Sequence, residues 1–306
     1  MPTLRDVAND AVLTNVAVKY TNEAYIAEQI LPVFPVKKQN GKYYVYDAES
    51  LRSVKTLRAL GSGANEVDYG VSLSGTYGCD DNALKEFVPQ EIIDQADQPI
   101  DPLIDATENV TERIKIGAEK ALATAMAATG TITHYSTLSG TDRWDDYTNS
   151  DPIDDIKTAK AAVHGYIFRE PNVLVLQKQV YEKLLDHPDI IERIKYSQLG
   201  VASPELLARL FGVEKVLIAG AGYNSADEGQ TDSISYIWGK HAWLVYVAPT
   251  VKAKQMTFGY TFKYEDYTTK RWTDADRNGT YVRVNTNYDQ KLVTAAACYA
   301  LRTVIS

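Results

Sequence analysis

Between Asp101 and Gly130 the apolar residues Leu103, Ile104, Val110, Ile114, Ala118, Ala121, Leu122, Ala125 and Met126 recur at three- and four-residue steps. Asp101-Pro102 is a helix start, an acidic N-cap followed by proline at the first helical position, and Gly130 is a natural stop. The pattern predicts one continuous helix over 102–129, about 28 residues and roughly 42 Å long at ~1.5 Å per residue. No proline interrupts it after Pro102, so it should be straight or gently curved. A helix of that length is a spine, and the rest of the chain has to be laid out along it.

Upstream, a weak helical stretch leads into Leu31-Pro-Val-Phe-Pro-Val36, where two prolines enforce an extended segment. Lys37-Lys-Gln-Asn-Gly41 reads as a turn and Lys42-Tyr-Tyr-Val-Tyr46 as a strand. A polar excursion tipped by Gly61-Ser-Gly63 separates it from a second alternating run, Val71-Ser-Leu-Ser-Gly-Thr-Tyr77. Together they predict a protruding β-arm with little apolar surface to fold back on its own body. An isolated ribbon is marginal in water, so a partner should order it.

Downstream, residues 131–150 read as a polar loop, and Asp151-Pro152 starts a further helix running through Ala162. Asn172-Val-Leu-Val-Leu-Gln177 is a buried strand, followed by helices split at Pro188. Ser203 to Gly212 is a capped short helix with a glycine stop. Strands are expected at Val216–Ala219, Ile234–Trp238 and Trp243–Val247, and a long antiparallel pair over 256–286. The tail from Leu292 to Ile305 is apolar.

Composition narrows the chemistry. The chain has 306 residues, 45% hydrophobic and 24% charged, enough for a large core without cross-links. Its 40 acidic and 32 basic side chains leave a net charge of -8, which argues against a protein built to grip nucleic acid. The 21 tyrosines against 6 phenylalanines suit half-buried strands and interfaces. Cys79 and Cys298 are far apart and read as free thiols in a reducing compartment. The opening MPTLRDVANDAVL has no signal-peptide pattern, no apolar run spans a bilayer, and the two sequons read as chance.

No catalytic, cofactor or metal constellation emerges. Val216-Leu-Ile-Ala-Gly-Ala-Gly-Tyr223 enters a glycine turn, but Ser225 stands where the third glycine of a dinucleotide fingerprint belongs and no helix pattern follows. His134, His164, His187 and His241 share no ligand spacing and read as isolated surface or loop residues. The acidic cluster Asp142, Asp145, Asp146, Asp151, Asp154 and Asp155 fits no calcium-loop template and reads as a solvated loop with helix-start charges.

One charge asymmetry suggests contact between copies. From Lys37 to Arg58 six cations, Arg52, Lys55 and Arg58 among them, face only Asp47 and Glu49. From Asp80 to Glu112 there are ten acids against Lys85 alone. The contact candidates are therefore Arg52, Lys55 and Arg58 on the arm, and Asp94, Asp97, Asp101, Asp105, Glu108 and Glu112 on a neighbour's acidic run. Solvation of both faces is the bland alternative.

The order of these segments resembles the Hong Kong 97 capsid fold of tailed-phage major capsid proteins and encapsulins. Ala27-Glu-Gln-Ile-Leu-Pro-Val-Phe-Pro-Val36 followed by Gly41-Lys-Tyr-Tyr-Val-Tyr46 is similar to the passage from N-terminal arm into extended loop. Asn172-Val-Leu-Val-Leu176, His187–Tyr196, Pro204–Val213 and Ile237-Trp-Gly-Lys240 resemble the axial domain, and Phe258-Gly-Tyr-Thr-Phe262 the strand returning to the peripheral domain. The resemblance implies an α+β fold. Its parts are an N-terminal arm at 1–38, an extended loop at 39–88, a peripheral domain at 89–150 and an axial domain at 151–250. Peripheral strands at 251–290 and a C-terminal return at 291–306 complete it.

It also implies self-assembly into pentamers and hexamers of an icosahedral shell around double-stranded DNA, contacted non-specifically, with portal, scaffolding and decoration proteins as partners. The location implied is the virion capsid, assembled in the host cytoplasm, with no membrane contact. The arm-like sequence begins close to Met1, which predicts a separate scaffolding protein or none. The lysine–asparagine cross-link of the founding member singles out no pair here. The alternatives are an encapsulin-type nanocompartment and, more distantly, a nucleotide-binding enzyme using the Ala219–Tyr223 turn.

Overall fold

The expected spine is one unbroken helix, Pro102–Ala127, of 26 residues. The computed structural model describes residues 25–46, 53–54, 56–66, 71–96, 101–195, 203–227, 229–252 and 255–306. The weak helical stretch expected near the N-terminus lies mostly outside them. Asp101 caps the spine, its carboxylate accepting from the N–H of Leu103 at 3.0 Å and of Ile104 at 3.4 Å. The helix ends before Gly130: Ala128 leaves helical geometry, its N–H still donating to Thr124 O. Two threonines on the buried face, Thr107 and Thr111, return their hydroxyls to the carbonyls of Leu103 and Thr107, so they cost no unpaired polar atom.

In chain order a single turn, α1 (Ala27–Ile30), leads to β1 (Val33–Pro35), β2 (Asn40–Tyr46), β3 (Val71–Gly78) and β4 (Asp80–Pro89). Helix α2 (Gln90–Gln95) precedes the spine, α3 (Pro102–Ala127). Then come β5 (Tyr135–Thr137), α4 (Pro152–Ile167), β6 (Val173–Gln177), α5 (Lys178–Leu185), α6 (Pro188–Ile194) and α7 (Pro204–Phe211). The chain closes with β7 (Lys215–Ala219), β8 (Gly222–Asn224), β9 (Ile234–Tyr236), β10 (Ala242–Val245), β11 (Gly259–Asp274), β12 (Gly279–Leu292) and β13 (Cys298–Arg302).

Two sheets lie along the spine. The first has strand order β1-β11-β12-β4, antiparallel except for the short β1 beside the start of β11. Val88, Val282 and Val284 turn one face to Ala106, Val110 and Ile114 of α3. The second has order β5-β13-β10-β6-β7. Every residue of β6 is buried, because both faces are covered. Val173 and Val175 meet Leu217, Trp243 and Val245 in the larger core, while Leu174 and Leu176 meet the apolar faces of α4, α5 and α7. Leu122, Ala123 and Met126, in the last turns of α3, belong to the larger core, so one helix is shared by both halves.

Three strands stand where the sequence read differently. Residues 80–88, the end of the stretch expected as extended loop, form with Pro89 an edge strand of the first sheet. Tyr135–Thr137, within the expected polar loop, pairs with β13. The apolar tail supplies β13 itself, an interior strand of the second sheet beside β10. α7 matches expectation: the Ser203 hydroxyl accepts from Leu206 N–H, and Gly212 closes the helix at φ 61°, a conformation that favours glycine.

Candidate inter-subunit surface

The arm is built on two reciprocal pairs. β2 and β3 run antiparallel with Gly41 opposite Tyr77 and Tyr43 opposite Gly75. Each tyrosine ring lies over the facing glycine, so closely that a Cβ on Gly75 would fall 2.3 Å from the Tyr43 ring. Both rings then stack on Phe262 of β11, with centroids 5.3 Å away for Tyr43 and 4.7 Å for Tyr77. Gly78 N–H donates to the Asp289 carboxylate at 2.9 Å, and buried Cys79 packs beneath. The arm's root is therefore bound to its own sheet, more firmly than the sequence suggested.

Farther out the arm changes character. Val54 is 49% exposed and Leu57 89%, and Leu60 is bare; all three sit on the excursion that turns at Ala59–Ser62, with Gly61 at φ 82°. Arg58 is exposed between them. Arg52 and Lys55 lie outside the described residues, so the expected basic stretch is described only at Arg58.

The acidic run is spread over α2 and the first half of α3. Asp94 is exposed and accepts from Gln90 Nε2, and Asp97 lies outside the described residues. Asp101 is engaged in its cap, Asp105 is exposed and Glu108 half-buried. Glu112 accepts a hydrogen bond from the Tyr25 hydroxyl and so serves the chain's own N-terminal segment.

Seven residues on, Glu119 does the same in the core, a role that sequence reasoning missed. Only 1% exposed, its carboxylate accepts from Ile26 N–H at 3.1 Å, Ala27 N–H at 2.9 Å and the Trp238 indole at 2.7 Å. Burial raises its pKa, against the lowering effect of these three donors. The signal was present: Glu119 sits three and four residues before Leu122 and Ala123, on the apolar stripe.

The other singled-out groups have structural duties. Asp151 caps α4, Asp155 accepts from the Trp144 indole at 2.8 Å, and Asp146 holds the turn at Thr148–Asn149. His187 sits in the connection between α5 and α6, as a loop residue, but it is fully buried and not on the surface: its Nδ1 accepts from Asp189 N–H at 3.3 Å as the cap of α6. Its Nε2 lies 3.1 Å from Ser150 Oγ. His241 Nδ1 accepts from Thr303 N–H, and His134 stacks on Tyr166. The Ala219–Tyr223 turn opens into the hairpin β8–β9 and not a helix, so it offers no helix N-terminus to a nucleotide. Among the described residues no group of three or more His, Cys, Asp and Glu side chains could hold a metal ion, and no helix is long and apolar enough to cross a membrane.

Comparison with known proteins agrees with this shape. A family model described as phage major capsid protein E matches residues 131–287. The chain is 31% identical to the major capsid protein of Burkholderia phage BcepMu over 261 residues, 83% of each chain. It is 32% identical to the major capsid protein of Pseudomonas phage JBD67 over 295 residues, 94% of this chain and 93% of that one. Among solved structures, a phage-related protein from Bordetella bronchiseptica RB50 superposes with a TM-score of 0.77 at 26% identity, covering 97% of this chain and 98% of the other. The capsid protein of a native GTA particle shares the fold at a TM-score of 0.61 and 13% identity, over 98% and 94%.

Proposed function

This chain belongs to the family of phage major capsid proteins, and from that premise we propose how one copy holds the next. The fold is of the Hong Kong 97 type and the role is that of a major capsid protein, a component of the virion shell. Shell building is a structural role, and we read the chain as having no catalysis of its own. In our reading the copies gather as pentamers and hexamers of an icosahedral shell around double-stranded DNA. Portal, scaffolding and decoration proteins are its partners, and assembly takes place in the host cytoplasm. The four-stranded sheet with the first half of the spine is the peripheral part, and the five-stranded sheet with its helices is the axial part. The capsid proteins at 31–32% identity favour a genome container over a nanocompartment.

The arm is the fastener, and one observation carries that: its root is stacked on Phe262 while Val54, Leu57 and Leu60 stand in water. Three exposed aliphatic side chains on a projecting loop make an anchor for a hydrophobic seat on another copy. Arg52, Lys55 and Arg58 then set the register against Asp94, Asp97, Asp101, Asp105, Glu108 and Glu112 of the neighbour. The test is Leu57→Asp with Leu60→Asp. The variant should keep the wild-type circular dichroism spectrum and lose particle formation by light scattering. Particles at normal yield would sink the fastening role.

A further inference from the structure

The face of the four-stranded sheet turned away from the spine carries an ordered grid. Strand register sets Trp272, Tyr281 and Phe87 opposite one another on β11, β12 and β4. Their rings touch in sequence, with Trp272–Tyr281 centroids 5.3 Å apart and Tyr281–Phe87 4.9 Å. Two residues along, the same register sets Lys270, Arg283 and Lys85 opposite one another. Lys85 Nζ lies 4.6 Å from the Tyr281 ring centre, so the cation row borders the aromatic row, and Arg277 donates to the Tyr281 hydroxyl at 2.8 Å. Like charges directly opposite across strands destabilise a sheet. Asp81 answers Arg283 only at 3.8 Å. In a chain of net charge -8, three aligned cations beside three half-buried rings are a local inversion of the surface.

The opposite side of the same end has the complementary make-up. α2 packs there with the start of the spine, Ile93 and Leu103 against Val88 and Val282. It presents Glu91, Ile92 and Asp94 to solvent, Ile92 being 54% exposed. From Glu86 to Glu112 the sequence has eight acids and no lysine or arginine. We infer that the aromatic and cationic face of one copy docks α2 of a second copy. Ile92 sits on the ring row, and Glu91 and Asp94 face the lysines. The two faces differ, so the contact is head-to-tail and can repeat from copy to copy until it closes a ring. The inference rests on the shell-building reading and gives the acidic run a second counterpart beside the arm.

The test uses the full chain, scored for particles by light scattering and electron microscopy. Lys85→Glu with Lys270→Glu, and separately Glu91→Lys with Asp94→Lys, should each slow particle formation by about tenfold or more. All four substitutions in one chain should restore it. The neutral pair Lys85→Gln with Lys270→Gln guards against misfolding. It should assemble more slowly, with a thermal midpoint for the unassembled subunit no lower than that of the wild type, because the like-charge row is relieved. Normal assembly by either reversed variant overturns the docking, including the case where particles form but no longer bind DNA or an acidic accessory protein. Loss in both variants without rescue overturns the pairing of these two faces. Wild-type chain that forms no particles even when co-expressed with the neighbouring scaffolding gene overturns the shell reading itself, a separate outcome because it appears before any substitution is made.

Discussion

Glu119 joins three stretches of chain far apart in sequence, the segment at Ile26–Ala27, the spine and Trp238. Truncating it strands three buried donors at ~1–3 kcal/mol each, so Glu119→Ala should lower stability by about 3 kcal/mol or more in urea unfolding. Its pH dependence has a definite sign. Burial raises the folded carboxyl above its unfolded value, so in that window the folded chain holds a proton the unfolded chain has released. Stability should fall as pH rises through the window, and Glu119→Gln should flatten that slope. His187 behaves oppositely. Burial lowers its pKa, against the pull of Asp189 and then Asp151, and its cap needs an unprotonated Nδ1. Its contribution is present above the ordinary histidine value and is lost as pH falls through the lower folded value. Unfolding midpoints measured from about pH 7 down to about pH 5 should decline, and His187→Asn, which keeps a capping oxygen, should decline less.

At the scale of elements, the arm's root depends on glycine where a ring must lie flat on the opposite strand. Gly75→Val would drive a side chain into the Tyr43 ring, so the stack on Phe262 should come apart. The expected result is faster proteolytic cutting within 39–78 while the body stays folded, and Phe262→Ala should do the same at a cost of about 3–5 kcal/mol. Unchanged cutting in both would mean that the root is held elsewhere. The sequence announced the spine and α7 because their caps and periodicity act locally. It also announced β6, whose apolar run needs no partner to be recognised. β4 was hidden because Asp80-Asp-Asn-Ala-Leu-Lys-Glu is polar and earns its place through pairing with β12, with Val88 as its buried residue. β5 is three residues long, and β13 alternates between two covered faces, so each looked like loop or tail. Tyrosine enrichment was visible, but the Trp272–Tyr281–Phe87 row exists only in the register of three strands.

At the scale of the whole molecule, two kinds of contact are asked to hold copies together, and salt separates them. The apolar arm tip should bind no less well as ionic strength rises, and sulfate should strengthen it. The charged partners should weaken, because exposed pairs more than about 10 Å apart are screened at ~0.1 M salt. Each such pair contributes little alone, so their effect should appear in rate and register more than in final yield. The bare Leu57 flanking Arg58 places both kinds of contact on one loop. Sequence reasoning identified the charges there and passed over the leucines, which count as apolar content until their exposure is known. Wild-type assembly should therefore slow as sodium chloride rises while still reaching completion. Arg52, Lys55 and Arg58 all changed to glutamate should leave the monomer folded by circular dichroism, assemble slowly at low salt, and assemble faster as added salt screens the new repulsion against the acidic run. Leu57→Asp with Leu60→Asp should fail at every salt concentration. A triple variant that assembles at the wild-type rate, with the same salt dependence, would leave the arm held by its apolar tip and backbone contacts alone.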